Sequence, residues 1–400
     1  MHSRTAIFKR PVIVRTPSRA GTQLHGSRVL NPRTQDGGEF HAQGAASSAF
    51  TVEFGHLSAG RGGGTTALPG IRSGMRRVLG VVTAIGSAMV AAAAIAQTGG
   101  LGAWSTGAQL PVPRSEVAVA AVGSTIYVIG GYAAAGQHPT ALDGTGTVDV
   151  DQPLVQGFNL ATGRWSDRAP LPRGLNHIGV ATLGGKIYAF GGFDQQNRDP
   201  VADASVYDPD SDSWTALPPV PTARGSIAVA VLAGKIHLVG GRDVHSVTTH
   251  DVFDPSANRY STAAPLPVGR DHMGLVAFGG KLYAIGGRID DFDHNTGYVD
   301  AYDPVANRWT SRTPMPSQRS GMAVVLFHDR ILAIGGERGG GTFTNNEAYD
   351  PPTNSWSVLA PLPQGRHGTG AVVIGDTLYL PAGGPVNGGS RQSDTLFTFK

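Results

Sequence analysis

The sequence predicts an all-β fold in which six four-stranded sheets, called blades, close into a ring: a six-bladed β-propeller. The 57 Gly and 27 Pro residues suit a chain with many tight turns, and no helical periodicity of any length interrupts it. A double glycine follows an apolar run six times, with separations of 61, 49, 46, 49 and 48 residues. A repeat of this length is typical of propeller blades. The pairs begin at Gly130, Gly191, Gly240, Gly286, Gly335 and Gly383.

A second landmark follows five of the glycine pairs or their equivalents. An aromatic residue stands before a short turn, and a Trp or Tyr stands seven positions later, so two strands joined by a tight turn are predicted. The pairs are Phe158 with Trp165, Tyr207 with Trp214, Phe253 with Tyr260, Tyr302 with Trp309 and Tyr349 with Trp356.

The order of these landmarks resembles the Kelch repeat. Each unit has an Arg, an apolar strand, a pattern such as Ile-Tyr-x-x-Gly-Gly, then Tyr-Asp-Pro and Trp, and the units cover about residues 101–400. The resemblance implies a propeller that binds a ligand on one face. It points to the secreted bacterial-type branch, which includes the six-bladed sialic-acid mutarotases.

The two ends of this region predict how the ring closes. The segment around Trp104 matches the fourth strand of a repeat, whereas the chain ends at Phe399 and Lys400 in what matches a third strand. One blade is therefore expected to be shared, with an N-terminal outer strand completing the C-terminal blade. Such closure hides sheet edges that would otherwise pair with other chains.

The N-terminal part is predicted to stand apart from the propeller. Residues 75–96 have the layout of a signal peptide: Arg76 and Arg77, an apolar run from Val78, and a small-residue cleavage pattern at 94–96. Residues 1–74 are interpreted as a disordered leader or as sequence upstream of the true start. The domain at 97–400 is thus expected to be secreted or periplasmic, with membrane attachment only if segment 78–96 stays uncleaved.

Charge and composition exclude several functional classes. The sequence pI of about 9.2 comes from the leader, because residues 97–400 carry 21 Lys and Arg against 26 Asp and Glu. Nucleic acid is therefore not an expected partner. The chain has no Cys, which excludes thiol catalysis and the Tyr-Cys crosslinked copper site of the galactose-oxidase type. We expect no cofactor and no metal.

Ligand-binding candidates gather where each blade begins. An arginine is expected at each entrance to an innermost strand, and histidines follow three of them; these residues are Arg114, Arg173, Arg224, Arg270, Arg319, Arg366, His177, His272 and His367. In some Kelch proteins the corresponding arginines line the ligand pocket, so a protein or an anionic glycan is the expected partner. The alternatives are structural clamps for the arginines and ordinary packing for the histidines.

The acidic loop at 288–299 has several of the oxygen ligands that a calcium site requires. Counted from Asp291, it has Thr296 and Tyr302 where a calcium loop requires Gly and a bidentate acid, so a solvated loop is favoured.

Three functions remain open at this point. A binding module needs nothing that the sequence lacks. A carbohydrate-active enzyme like the sialic-acid mutarotases agrees with the blade number and the export signal, although no catalytic motif is found. A ubiquitin-ligase adaptor would need a helical BTB or F-box region, which residues 1–74 do not show.

Overall fold

The computed structural model describes residues 101–134, 149–195 and 197–400 as six antiparallel four-stranded sheets. This confirms the prediction of an all-β, six-bladed propeller. The proposed leader (1–74) and signal peptide (75–96) lie outside the described residues. Within the described ranges the helical element is one short 3-10 turn, Phe292–His294. No helix in these ranges has the length and apolar character needed to cross a bilayer.

Each blade is one sheet whose strands follow one another outward from the channel. Blades 1, 2 and 3 comprise, in that order, Ala118–Val122, Thr125–Ile129, Val155–Asn159 and Arg164–Arg168; Gly179–Leu183, Lys186–Phe190, Ala204–Asp208 and Ser213–Ala216; and Ala228–Leu232, Lys235–Val239, His250–Asp254 and Arg259–Thr262. Blades 4, 5 and 6 comprise Gly274–Phe278, Lys281–Ile285, Val299–Asp303 and Arg308–Ser311; Ala323–Phe327, Arg330–Ile334, Asn346–Asp350 and Ser355–Val358; and Val372–Ile374, Thr377–Pro381, Leu396–Phe399 and Trp104–Thr106.

Three loops on one face carry small two-stranded ribbons. These are Tyr132–Ala134 with Asp149–Asp151, Phe193–Asp194 with Asp199–Pro200, and Glu337–Arg338 with Gly341–Thr342.

The ring is closed by contacts between innermost strands. The innermost strand of every blade touches those of both neighbours, and the cycle closes between blade 6 and blade 1. Blade 6 is the shared blade, since Trp104–Thr106 pairs antiparallel with Leu396–Phe399 and places Trp104 opposite Phe399. The predicted closure is therefore confirmed.

The aromatic landmarks bind each blade to the one before it. Tyr302 and Trp309 face each other across neighbouring strands of blade 4, as the seven-residue spacing predicted. The Trp309 indole then donates to the carbonyl of Ala264 at 2.8 Å, in the link that leaves blade 3. The same position donates to the preceding link in every blade, from Trp104, Trp165, Trp214, Tyr260 and Trp356. A buried Trp or Tyr needs such a partner for its polar atom.

The double glycines allow two backbones to meet at the blade entrance. Both Gly130 and Gly131 have left-handed φ values, 63° and 88°. A Cβ on Gly131 would lie 2.3 Å from the carbonyl oxygen of Ser115, so only glycine fits. The entrance of each innermost strand is thereby held against the end of the second strand.

Candidate functional site at the mouth of the channel

Two rings of residues surround the channel on the face that carries the long loops. The inner ring takes one residue from the start of each innermost strand: Glu116, His177, Ser226, His272, Gly321 and Gly368. The upper ring takes the residue after the double glycine in blades 1 to 5 and Gly384 in blade 6, where Ala382 and Gly383 occupy the place of the glycine pair. Its members in blades 1 to 5 are Tyr132, Phe193, Arg242, Arg288 and Glu337. Within each blade an antiparallel bridge joins the upper-ring residue to the residue just before the inner-ring position, for example Phe193 to Asn176 and Arg288 to Asp271.

The inner ring has an unusual backbone. Its six residues all have left-handed φ, from 51° at His177 to 63° at Gly321. Backbone hydrogen bonds connect neighbouring blades here, as from His177 N–H to the Glu116 carbonyl at 3.1 Å. Glycine is the residue that adopts this conformation without penalty, and a side chain there costs roughly 1–2 kcal/mol. Blades 1 to 4 nevertheless place Glu, His, Ser and His at these positions, and strain of this kind is typical of functional sites.

Three of these side chains converge. One ligand-type atom from each of Glu116, His177 and His272 lies within 4.8 Å of the other two. His177 Nε2 is 3.0 Å from Glu116 Oε2, and the two imidazole rings meet edge to face at 4.7 Å between centroids. This set is the one in the described part of the chain whose donors could hold a metal ion.

The outer nitrogen of each histidine is fixed by a neighbour in its own blade. His177 Nδ1 bonds to Asn176 Oδ1, and the Asn176 amide is oriented because its Nδ2 donates to Asp151 at 2.7 Å. His272 Nδ1 bonds to the carboxylate of Asp271. Both Nδ1 atoms therefore carry a proton, which leaves His177 Nε2 facing Glu116 and His272 Nε2 accepting from Arg288.

Arg288 and Glu337 of the upper ring lie directly above. Arg288 donates to Asp271 and Glu337, each at 3.1 Å, and its Nη2 lies 3.1 Å from His272 Nε2. His367 Nε2 lies 3.3 Å from Glu337 and 3.6 Å from Glu116. A network of three carboxylates, three imidazoles and one guanidinium is thus almost fully shielded from solvent.

Burial and neighbouring charge shift the ionisation of these groups. Burial alone raises the pKa of Glu116, but the adjacent histidines, His177 foremost, outweigh it and hold the pKa well below its ordinary value. The pKa of Asp271 is likewise lowered, because His272 and Arg288 together outweigh the effect of burial. Burial, and then the charge of Arg288, lower the pKa of His272 to about 3. His272 is therefore neutral at physiological pH.

Cavities lie on both sides of the inner ring. The mouth pocket, about 240 Å³, is lined by Tyr132, Phe292, Arg288 and Glu337 above Glu116 and the two histidines. A smaller cavity of about 110 Å³ lies below, against Val117, Ile178, Ile227, Met273 and Met322. The ring side chains thus form the floor of the mouth pocket and the roof of the smaller cavity below it.

Five of the predicted arginines point into their blades. Arg114, Arg224, Arg270, Arg319 and Arg366 are buried, with 0–1% of each residue exposed. Arg319 donates to the carbonyls of Gly335, Ser317 and Ala333 and to Glu347 at 2.6 Å. The geometry of these residues is that of the structural clamp, the alternative given above.

Arg173 does not occupy the equivalent place. Leu175 of blade 2 makes the backbone contact that arginines make in the other blades, accepting a hydrogen bond from Gly131 N–H. Arg173 lies two residues earlier, 41% exposed, where it pairs with Asp203 at 2.8 Å. Ser205 stands where other blades have the carboxylate that pairs with the buried arginine. A largely apolar cavity of about 280 Å³ lies where the arginine and the carboxylate would be. The expectation of six equivalent arginines is therefore wrong for this blade.

The structure brings the three predicted histidines together, but it adds partners that the sequence analysis missed. Glu116, Arg242, Arg288 and Glu337 are not among the site residues predicted from the sequence. Their signal was partly available: counting one residue beyond the double glycine gives the upper ring in blades 1 to 5. Counting two beyond the entrance arginine gives the inner ring in every blade except blade 2, where the entrance residue is Leu175. The cluster of carboxylate, imidazole and guanidinium groups becomes visible in the sequence only when the repeats are aligned at those two positions.

The acidic loop has local structural partners. Asp291 caps the 3-10 turn by accepting from Asp293 N–H, and Asp290 accepts from the Ser246 N–H at 2.7 Å. These contacts connect loop 288–299 to blade 3.

Known proteins resemble this chain in sequence and fold. The family described as Kelch motif matches residues 175–221, 269–316 and 318–363, which are the repeats of blades 2, 4 and 5. Kelch-like protein terF of Aspergillus terreus is 36% identical over 119 residues, covering 28% of this chain and 24% of that protein. Kelch-like protein 25 of Xenopus tropicalis is 32% identical over 108 residues, covering 27% and 17%. The match thus spans about a quarter or less of these relatives.

A solved structure has the same fold. The structure of YjhT superposes with a TM-score of 0.58 at 18% identity, over 72% of this chain and 95% of that one. The chain is therefore a six-bladed β-propeller that contains Kelch motifs in blades 2, 4 and 5.

Proposed function

We propose that this protein is an extracytoplasmic binding module that holds one sugar unit of a glycan in the mouth pocket. The observation that carries the proposal is the inner ring, where Glu116, His177 and His272 adopt a costly backbone conformation and meet at the pocket floor. Structural packing alone does not require charged side chains there, because Gly321 and Gly368 complete the same ring without them.

The size and lining of the pocket favour a small polyhydroxylated ligand. Its volume of about 240 Å³ is below the roughly 300–1,000 Å³ usual for drug-sized molecules. Tyr132 and Phe292 offer aromatic surface, while Glu116, Glu337 and Arg288 offer acceptors and donors for hydroxyl groups. Arg242 on the rim, whose Nη2 bonds to pocket residue Asn197 at 2.9 Å, favours a sugar that carries an anionic group.

A second candidate function is the interconversion of sugar anomers. It is favoured by two adjacent acid–base pairs, Glu116 with His177 at 3.0 Å and Glu337 with His367 at 3.3 Å. Opening a sugar ring requires one group to remove the proton of the anomeric hydroxyl and another to protonate the ring oxygen. A carboxylate and an imidazole held side by side can perform these two transfers.

Binding is tested by titrating the full chain with sialic acid and, separately, with glucose. Ligand-observed NMR measures the binding in both titrations. We expect saturable binding that is at least tenfold weaker in Glu337→Gln, and tighter for sialic acid than for glucose. Asp303→Asn is the control, because Asp303 pairs with Lys281 on the outside of blade 4. Absence of binding for both sugars, or equal affinity in wild type and Glu337→Gln, would refute the proposal.

Catalysis is tested separately by following anomer exchange of the bound sugar in NMR spectra. If the wild type accelerates anomer exchange and Glu116→Gln binds the sugar without accelerating it, the protein is an enzyme. If the wild type binds the sugar without accelerating exchange, the protein is a passive receptor.

The extracytoplasmic location is a proposal from residues 75–96, outside the described part of the chain. N-terminal sequencing of exported protein tests it: a mature chain that starts near Gln97 is expected, and one starting near Met1 contradicts it.

A further inference from the structure

We propose that the inner ring is a binding site for a divalent transition-metal ion, held by His177 Nε2, His272 Nε2 and a carboxylate oxygen of Glu116. The site needs no sugar, so it is independent of the function proposed above. Its ligands come from three blades, which the closed ring holds in fixed relative positions.

The histidine lone pairs are directed towards a shared position. Asn176 Oδ1 and the Asp271 carboxylate each accept from an Nδ1–H, so both Nε2 atoms present lone pairs to the channel. His177 Nε2 then faces Glu116 Oε2 at 3.0 Å, and two acceptors at that distance repel unless a cation lies between them. The cation is either a proton on His177 or a metal ion shared by the three side chains.

Neighbouring side chains hold both histidines in the orientation that a metal site requires. Histidines that bind metals donate their remaining N–H to a carboxylate or carbonyl group, which fixes the tautomer and the ring orientation. Asp271 does this for His272, and the Asn176 amide oxygen does it for His177. Asn176 is held in turn by Asp151, so its oxygen cannot rotate away without breaking that bond.

The buried cluster has more acidic than basic side chains. Glu116, Asp271 and Glu337 are three buried carboxylates in contact with the histidines, and Arg288 is the one guanidinium among them. With neutral imidazoles the cluster would carry an excess of two negative charges away from water, which is costly. A divalent ion neutralises that excess.

Distances fit a small ion after a modest adjustment. Ligands of an ion with bonds of about 2.0–2.1 Å lie roughly 3.0–3.5 Å apart, and the Glu116–His177 separation already has this value. His272 must approach, since the three atoms span up to 4.8 Å, and its contact with Arg288 Nη2 must open. Arg288 would keep its bonds to Asp271 and Glu337.

The ligand set indicates the class of metal. Two imidazoles and one carboxylate suit Zn²⁺, Co²⁺, Ni²⁺ or Fe²⁺ and are too nitrogen-rich for Ca²⁺ or Mg²⁺. Three protein ligands leave at least one coordination position free on the side of the mouth pocket. A hydroxyl or carboxylate of a bound ligand would reach the ion there.

The test is to titrate the metal-stripped full chain with Co²⁺ and to monitor binding by the visible ligand-field absorption of the bound Co²⁺. Zn²⁺ is then added as a competitor. We expect one Co²⁺ per chain, displaced by one Zn²⁺. His177→Gly and His272→Gly should each weaken Co²⁺ binding at least roughly tenfold. Glycine is chosen because it relaxes the left-handed backbone and already stands at Gly321 and Gly368.

The matched control is His328→Gly. His328 has φ 46° and an exposed side chain in the turn between the first two strands of blade 5, so this variant removes a histidine from the same backbone conformation outside the site. It should bind Co²⁺ like the wild type. If a ring variant fails to fold, Glu116→Gln removes a ligand charge while keeping the side-chain shape.

Three results would overturn the proposal. They are no stoichiometric Co²⁺ or Zn²⁺ binding by wild type, unchanged affinity in the three ring variants, or an equal loss in His328→Gly. The first would mean that a proton is the cation between Glu116 and His177. Sugar binding that persists without metal would leave the proposed function standing, whichever way this test falls.

Discussion

Trp104 packs against Phe399 with 4.8 Å between ring centroids and 42° between the ring planes, and its indole donates to the Ala360 carbonyl of blade 5 at 2.8 Å. These contacts join the first described strand of the chain to the last one and to the neighbouring blade. The ring is therefore closed by side chains and strand hydrogen bonds across the two ends of the propeller.

Trp104→Ala is expected to lower the free energy of unfolding by about 3 kcal/mol, because a large aromatic contact and a hydrogen bond are both lost. Chemical denaturation measures this. Trp309→Ala is the matched control in a blade made from one continuous segment. It should lose similar stability, whereas only Trp104→Ala should make the N-terminal strand sensitive to proteases by freeing an edge of blade 6. An unchanged unfolding midpoint in Trp104→Ala would contradict this account of closure.

The fold was predictable because its determinants are local. A double glycine allows the close backbone contact at each entrance, and an aromatic residue seven positions before a Trp predicts a cross-strand pair, as for Tyr302 and Trp309. Such features leave the same mark in every repeat, and the missing outer strand at the C-terminus indicates where Trp104 belongs.

The site was harder to predict because it depends on where side chains point. Arg319 and its equivalents turn inward to carbonyls that only the folded blade assembles, and Arg173 differs from them by two residues. Glu116, His177 and His272 belong to three different repeats and meet only in the closed ring. The sequence of any one repeat therefore gives no indication of the cluster.

The clamp arginines should matter for stability. In Arg319→Leu, Glu347 loses its cationic partner while remaining buried, which should cost about 3–5 kcal/mol of unfolding free energy. Blade 2 offers a natural solution, since Leu175 and Ser205 stand at the equivalent positions. The double variant Arg319→Leu/Glu347→Ser should therefore recover a measurable part of that loss. If the double variant is less stable than Arg319→Leu, the Glu347 carboxylate does not need the arginine, because its other hydrogen bonds compensate for its burial.

A buried histidine pair should make stability depend on pH. His237 Nδ1 and His250 Nε2 lie 2.9 Å apart in blade 3, and burial, followed for His237 by its neighbour, lowers the pKa of each to about 4. In the unfolded chain the pKa of histidine is about 6.5, so the unfolded state takes up protons first as pH falls. Stability is full above pH 6.5 and should decline towards pH 4, by up to about 3 kcal/mol for each histidine.

The measurement is denaturant unfolding of the full chain at several pH values between 7 and 4. The double variant His237→Tyr/His250→Val places in blade 3 the residues that blade 4 has at the same positions, Tyr283 and Val299. It should lose clearly less stability over this range. Identical pH profiles would assign the acid sensitivity to other groups, such as His272.

The two glycines of the inner ring provide a final test of what the ring does. Gly321 and Gly368 have nearly the same φ, 63° and 59°, so alanine at either should cost roughly 1–2 kcal/mol of stability. Their surroundings differ: a Cβ at Gly321 has its nearest neighbour, Glu337, at 3.4 Å, whereas one at Gly368 would lie 2.6 Å from the Glu116 carboxylate. Gly368→Ala must therefore displace Glu116 from His177, and Gly321→Ala need not. We expect only Gly368→Ala to weaken Co²⁺ binding, by at least roughly tenfold. Equal Co²⁺ affinity in the two variants would show that the position of Glu116 does not govern the site, because the backbone penalty is common to both.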